Sequence, residues 1–305
     1  RVRVIDEVAL RGSFSTSFKA PGIFQSFGGG TSLDQVIDPI NNNATAFAAV
    51  TSVGNPDLDP EQSVNFNFGT TIRPIKGLNI DFDFWSFEFS DVITLENPQA
   101  KVSADPQGDS VVRAGSDTGP ILRVLVDFVN ATSVTTRGMD LSAQYQISTD
   151  FGVFVPSLTG TYILTYDIDD PNVGVIDGAG KLNFENFGTS TPQLRFNAGL
   201  AWLYDEHTLN VFVRYISGYD DVQSRNVQAG SEPPIVGVDA MTTLDAQYRF
   251  AVDSVFSSTD SLSLTIGGTN LTDAVPPRVA INGGFDSKVH DPRGRTLYAA
   301  LALGF

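Results

Sequence analysis

The chain has 305 residues, no cysteine and a formal net charge of −16, with charged residues at 18% and hydrophobic residues at 41%. Disulfides, thiolate metal sites and thiol nucleophiles are excluded, and the acidic balance argues against nucleic acid, whose phosphates need a basic surface. No run approaches the roughly 20 apolar residues of a membrane helix, so this chain can enter a membrane only as strands.

Arg1 is neither an initiating Met nor the start of a signal peptide, so the chain is expected to be a processed product or part of a longer protein. Its first strand runs from Val8 to Phe18, with Val8, Leu10, Phe14 and Phe18 on one face and Arg11, Ser13, Ser15 and Ser17 on the other. A long connection rich in Gly, Asn, Pro and Asp follows to about Gln62. Strand two, Ser63 to Ile72, sets Val64, Phe66, Phe68 and Ile72 against Asn65 and Asn67, and leaves through the turn Pro74–Gly77. Strand three opens with Leu78, Ile80, Phe82 and Phe84 opposite Asn79, Asp81 and Asp83. Its phase flips at Trp85, either through a β-bulge near Phe84–Trp85 or because Trp85 and Phe87 turn inward.

Residues 92 to about 125 read as a second long connection. Strand four, about Val134 to Ile147, alternates Met139, Leu141, Ala143 and Tyr145 with Asp140, Ser142 and Gln144. After a tight turn at Thr149–Gly152, strand five carries Leu158, Tyr162, Leu164 and Tyr166 on its even positions. A third long loop, 167–190, precedes strand six (Leu194, Phe196, Ala198, Leu200, Trp202, Tyr204 against Arg195 and Asn197). The pair Asp205-Glu206 turns into strand seven (Leu209, Val211, Val213, Tyr215 against Asn210 and Arg214). A fourth long loop, 217–238, leads to strand eight (Leu244, Ala246, Tyr248, Phe250 against Asp245, Gln247, Arg249). A turn at 254–260 enters strand nine (Leu262, Leu264, Ile266), and a fifth loop, about 272–294, precedes strand ten.

That last stretch, 295–305, places Leu297, Leu301, Leu303 and the terminal Phe305 on one face. Ten strands joined alternately by long and short connections describe an all-β, antiparallel transmembrane β-barrel, with short turns on one side and long loops on the other. A soluble sandwich has no reason to sort its loops by parity. Aromatics near strand ends (Trp202, Tyr204, Tyr215, Tyr248, Phe250) suit an interfacial girdle, and charges on every opposite face require a wet lumen or another polar element within it. The acidic residues between strands (Asp57, Asp59; Asp167, Asp169, Asp170; Asp220, Asp221) read as solvated loop residues, with calcium binding as the alternative. Neither a protein metal site nor a cofactor is expected: His207 and His290 lie far apart, and no zinc-protease, nucleophile-elbow, phosphate-loop or dinucleotide motif is present.

Five segments resemble those of TonB-dependent receptors. Phe18-Lys-Ala-Pro21-Gly-Ile-Phe24 is similar to the family's gFRAP turn, and Asn55-Pro56-Asp-Leu58-Asp-Pro60-Glu61 to its NP-x-L-x-PE segment. The stretch from Asn130 to Gly138 and Asp140 resembles the family's approach to a strand. Gly268-Thr-Asn270-Leu271-Thr-Asp resembles its NLfD motif, and Phe305 with Leu301 and Leu303 its closing strand. Lys19 replaces the commoner Arg, and Thr272 the usual aromatic. The resemblance implies a 22-stranded barrel with an amino-terminal plug. Ten strands with neither plug nor TonB box are therefore expected to be the carboxy-terminal part of such a barrel, with two open edges or an open, curved sheet.

It further implies outer-membrane active transport of a scarce nutrient (iron chelate, cobalamin or oligosaccharide), energised by the TonB complex through the missing plug. Outer-membrane lipid and the barrel-assembly machinery, acting on the terminal strand, would be further partners. In the first long loop, Phe24 and Phe27 beside Gly28–Gly30 are candidate substrate-stacking residues, although loop packing explains them as well. The rival reading is a complete ten-stranded barrel enzyme similar in architecture to omptin proteases, for which His290-Asp291 with Asp286 is the candidate centre. A third is a secreted soluble β-protein.

Overall fold

The computed structural model describes residues 2–170, 174–182, 190–221, 236–253, 261–279 and 284–304. In chain order the elements are β1 (Val2–Ile5), β2 (Val8–Lys19), α1 (Ile23–Phe27), β3 (Gly29–Asp38), β4 (Ala44–Val53), β5 (Glu61–Ile72), β6 (Leu78–Leu95), α2 (Pro98–Ala104) and β7 (Val111–Arg113). Then come β8 (Ile121–Tyr145), β9 (Ile147–Thr149), β10 (Gly152–Asp170), β11 (Gly174–Asp177), β12 (Lys181–Leu182), β13 (Leu194–Tyr204) and β14 (His207–Ile216). The last are β15 (Tyr219–Asp221), β16 (Val236–Val238), β17 (Met241–Asp253), β18 (Ser261–Thr269) and β19 (Thr296–Gly304).

Ten of these, β2-β5-β6-β8-β10-β13-β14-β17-β18-β19, form one continuous antiparallel meander and coincide with the ten strands read from periodicity. The hairpin strand β1 covers β2 only as far as Leu10. The two ends of the sheet do not pair with each other, so it is an open sheet, as expected for part of a barrel. The short connections 73–77, 150–151 and 205–206 lie at one end, here the turn end, and the long ones at the other, the loop end. The expected turn at 254–260 and the terminal Phe305 lie outside the described residues.

Register settles the faces, because directly opposed residues point to the same side of a sheet. The pairs Arg11↔Gly69, Gly69↔Asp83, Asp83↔Asp140, Asp140↔Thr161 and Thr161↔Arg195 carry one polar face across six strands. The opposite face is mainly apolar, as in Phe14↔Phe66, Phe82↔Leu141, Leu200↔Val211, Val211↔Ala246 and Leu264↔Leu301, with the ion pair of Glu88 and Arg137 toward the loop end. Phe14 is 70% and Leu301 68% exposed, and neither buried apolar cluster among the described residues draws on this face. A soluble sandwich would cover such a face with a second sheet; among the described residues no second sheet covers it.

Both buried clusters belong to the loop end, where one expectation is corrected. The long connections 19–62 and 92–125 contain ordered elements that the sequence reading missed. The β3–β4 hairpin runs alongside an extension of β8, with β4 parallel to residues 123–127 and β7 antiparallel on its other side. Val36, Ala48 and Val50 pack there against Val102 of α2 and against Val124 and Val126. Asn97 caps α2 by accepting from the Gln99 and Ala100 amides, and the Gln99 side chain bonds both backbone groups of Ile37 at the β3 edge. Within this cap, Arg113 donates to both carboxylate oxygens of Asp38 at 2.7 and 2.8 Å, with both side chains 3% exposed. A second cap, β12-β15-β16, buries Leu182, Tyr219 and Val238 against Val279.

Two further observations concern phase: of the two readings of the flip at Trp85 the inward one holds, and the face of Tyr166 is corrected. No bulge occurs at Phe84–Trp85, where β6 keeps register with both neighbours; its irregularity falls between Phe89 and Ile93. Trp85, Phe87 and Phe89 therefore stand on the polar face with Asp81 and Asp83. In β10 the register shifts between Ile163 and Thr165, so Tyr166 pairs with Thr136 and turns to the polar side rather than the apolar one.

Candidate functional site

The polar face is where this sheet can do chemistry, and two of its arginines, Arg11 and Arg214, are paired with carboxylates. Arg11 donates from Nε to Asp83 at 2.9 Å, from Nη1 to Thr71 at 2.8 Å and Asp81 at 3.0 Å, and from Nη2 to the second oxygen of Asp83. Gly69 sits under this ion pair; a Cβ there would run into both Asp83 and Arg11, so the side chains meet across β5 only because that position is glycine. Farther along, Thr161 donates to Asp140 at 2.7 Å. A cavity of about 340 Å³ opens between Asp81, Asp83, Asp140, Thr161, Arg195 and Asn197.

Toward the loop end, Arg214 pairs with Asp245 at 2.6 Å, and Asp245 also accepts the Asn270 amide at 2.8 Å. These residues line a second cavity of about 260 Å³ with His290, Asp291 and Arg293. His290 is 3% exposed and stacks on Tyr219 at 6.1 Å with 12° between the rings; neither ring nitrogen has a hydrogen-bond partner among the described residues. Burial holds the imidazole below its ordinary pKa and pushes the Tyr219 hydroxyl above its own. Asp286 accepts from the Ser190 hydroxyl, from the Tyr219 hydroxyl at 3.3 Å and from the Lys288 amide at 3.0 Å. Asp291 is exposed, bound by Arg293, and held by that guanidinium at a pKa of about 2. The geometry thus brings His290 near Asp286 but leaves Asp291 engaged with Arg293, so no His–Asp hydrogen bond of the kind a proton-transfer centre needs is formed. Among the described residues no group of three or more acidic or histidine side chains is placed to hold a metal ion.

The motif residues converge on one junction at the loop end. Asn55 donates to the Phe128 carbonyl at 3.0 Å and accepts the Asp57 amide. The Asn130 side chain accepts the Asp59 amide at 2.8 Å and donates to the carbonyls of Asp59 and Asp91. Glu61 accepts the Ile93 amide and Lys19 Nζ. Pro56, Leu58 and Pro60 carry the chain through this return, which fastens β5 onto β6 and β8 where β6 is irregular. Gly138 lies beneath the Trp85 indole, where a Cβ would clash. Asn270, at φ 49, closes the turn after β18 by bonding both backbone groups of Ala274, and the Leu271 amide donates to Leu244. Pro21 precedes α1. Phe18 faces outward, 78% exposed. Phe24 packs edge-on against Phe128 at 6.0 Å, while Phe27 is 77% exposed, and neither lines the two polar cavities.

At the turn end, Trp202, Tyr204, His207, Tyr248 and Phe250 form a belt of rings 5.2–6.4 Å apart. Here His207 Nδ1 lies 2.6 Å from the Tyr248 hydroxyl, and Trp202 donates to the Phe151 carbonyl at 2.8 Å. Polar tips directed at the sheet rim with ring bodies outward suit a membrane interface.

A family model described as TonB dependent receptor-like, beta-barrel, matches residues 1–271. No curated protein matches the chain. Similar solved structures include a mutant of the ferric enterobactin receptor of Pseudomonas aeruginosa in complex with enterobactin, 17% identical, with a TM-score of 0.65 over 99% of this chain and 39% of that one. The siderophore receptor PirA of Acinetobacter baumannii is 18% identical, with a TM-score of 0.61 over 98% and 39%. The ferripyoverdine receptor of the Pseudomonas aeruginosa outer membrane, bound to ferripyoverdine, is 12% identical, with a TM-score of 0.57 over 99% and 32%. At these identities the likeness is one of fold, and the chain spans about two fifths of the length of the first two.

Proposed function

The chain belongs to the TonB-dependent receptor β-barrel family, and on that premise we propose that it forms part of the wall of an outer-membrane importer for a scarce nutrient. The observation that carries this reading is the two-faced ten-strand sheet, with Phe82, Leu141, Leu200, Val211 and Leu264 on one side and, on the other, a polar band that holds Arg11, Asp83, Asp140, Thr161 and Arg195. Such a wall separates hydrocarbon from a wet lumen, the condition for moving a polar solute across a bilayer without exposing it to lipid. The loop end faces outward and the turn end, with its aromatic belt, faces the periplasm. The caps above β6, β8 and β14 would meet the nutrient, with Phe24 and Phe27 among the exposed rings, and energy would come from the TonB complex through a plug.

Iron chelates, cobalamin and oligosaccharides are the substrate classes the family admits, and a likeness of fold to siderophore receptors at 12–18% identity does not choose among them. The open edge of β19, with Leu301 and Leu303 on its lipid face, is the surface that would meet the barrel-assembly machinery. Enzymatic chemistry is not part of this reading, because among the described residues the His290 ring has no hydrogen-bond partner, and Asp291 is paired with Arg293. The test is uptake in a Gram-negative host stripped of its own receptors and expressing the full-length protein. Accumulation of nutrient that disappears on deletion of TonB is expected; accumulation independent of TonB would overturn energy-coupled import.

A further inference from the structure

On the polar face of β6, three aromatic rings climb toward the loop end. Trp85 and Phe87 lie 5.5 Å apart, and Phe87 and Phe89 lie 6.5 Å apart with rings 20° from parallel. Aromatic rings are out of place on a water-lined wall unless something flat covers them, because bare apolar surface in water is unfavourable. Their neighbours across the sheet are neutral hydrogen-bonding groups. Asn67, Asn65 and Ser63 stand opposite them on β5, and Thr136 stands opposite Phe87 on β8. Beyond β5, the ladder continues with Ser17, whose hydroxyl bonds that of Ser63 at 2.6 Å, and Ser15, whose hydroxyl accepts from the Asn65 side-chain amide at 3.4 Å.

No charged side chain stands on these rungs, and at their loop end Lys19 is paired with Glu61 at 2.7 Å. The nearest arginine below the ladder, Arg11, is consumed by Asp81 and Asp83. Arg137 is paired with Glu88 on the opposite face. Attraction of an anionic metal chelate into a cleft calls for an excess of basic groups lining it, and the whole chain carries 35 acidic against 19 basic residues. What fits flat rings flanked by amides and hydroxyls is a molecule with apolar ring faces and an uncharged hydroxyl rim, which is the chemistry of a sugar ring.

Resting on the importer reading above, we propose that Trp85, Phe87 and Phe89 form a stacking track for a neutral oligosaccharide, with Asn65, Asn67 and Thr136 as its hydrogen-bonding edges. Successive rings let the ligand move by exchanging one stacking contact for the next, so no single site holds it too tightly to leave. The phase flip at Trp85 is then the place where the wall changes from an ion-paired surface to a carbohydrate surface.

Calorimetry on the full-length receptor, in an amine-oxide detergent rather than a glycoside detergent, tests this. The probes are maltohexaose, xylohexaose, N-acetylchitohexaose and a ferric tris-catecholate chelate. Saturable binding of at least one oligosaccharide is expected, weakened on the order of tenfold in Phe87→Leu/Phe89→Leu, which keeps apolar bulk but removes two rings. The outward-facing Phe196→Leu is expected to bind as the parent does, and heat-modifiable migration shows that each variant is folded. Binding of the chelate alone, or of none of the sugars, overturns the sugar assignment. Unchanged sugar binding in the double variant overturns the track and implies that the rings serve to seat a protein element. TonB-dependent accumulation in cells, measured in parallel, decides separately whether the importer reading stands.

Discussion

At the scale of single residues, the polar face is built on glycines that lie under aromatic or charged side chains of the next strand. Gly138 lies under Trp85, Gly199 under Phe212 and Gly267 under Tyr298, in each case directly across the ladder. A ring laid over a glycine screens backbone that lacks side-chain cover, and the position tolerates nothing larger. Gly138→Val is therefore expected to destabilise the barrel by about 1–3 kcal/mol through overpacking, read as a fall in the urea midpoint of the refolded receptor. A second residue-scale expectation concerns the loop-end cap. Buried Asp38 is held at a pKa of about 2 against an ordinary 3.8, chiefly by the Arg113 guanidinium and despite the opposing cost of burial. A depressed carboxyl contributes stability above its unfolded pKa and loses it as pH falls through the folded one, here about 2 kcal/mol lost between roughly pH 4 and pH 2. Asp38→Asn should be less stable at neutral pH and should flatten this acid limb in a urea titration followed against pH; a variant with the parent's acid limb would show that another group carries it.

At the scale of elements, the barrel strands were legible because they alternate with period two, over seven residues in Leu209–Tyr215 and eleven in Leu194–Tyr204. The cap was not. The β3–β4 hairpin is made of Gly, Thr, Ser, Asp and Ala, so its buried stripe of Val36, Ala48 and Val50 has little contrast with its exposed one. The 121–133 part of β8 alternates weakly because it is flanked by β4 and β7 and packed under α2. Phase changes were legible only as ambiguity: a flip at Trp85 can be a bulge or a change in what the wall must face, and the register chooses the latter. The paired arginines were visible as charges but not as pairs, since Arg11 and Asp83 are 72 residues apart. The two-faced design predicts opposite outcomes for adjacent positions of β14. Val211→Arg places a charge on the lipid face near the middle of the strand and should cost about 2–4 kcal/mol, whereas Asn210→Lys on the lumen face should be near neutral. Refolding into vesicles across a urea series measures both; equal costs would mean that the faces are assigned wrongly.

At the scale of the whole molecule, what matters is the two unclosed edges. Above Leu10, β2 has a partner on one side only, and β19 has none beyond β18. Each edge exposes a row of backbone donors and acceptors that water can satisfy but hydrocarbon cannot, at several kcal/mol per group. A closed barrel of ten such strands would require β2 to pair with β19. The fold instead matches about two fifths of much longer receptors along nearly its whole length. Residues 1–305 alone should therefore fail to give a discrete heat-modifiable species in vesicles, and should give one when the strands that flank β2 and β19 in the full barrel are present. Residues 1–305 contain no cysteine, so introduced pairs are the only thiols in this stretch: a β2–β19 disulfide requires Cα atoms about 4.4–6.8 Å apart. None is expected in the full-length receptor, where other strands stand between these two. A quantitative β2–β19 cross-link in a monomer would mean that ten strands close on themselves, leaving a lumen too narrow for a plug and, with it, for energised import.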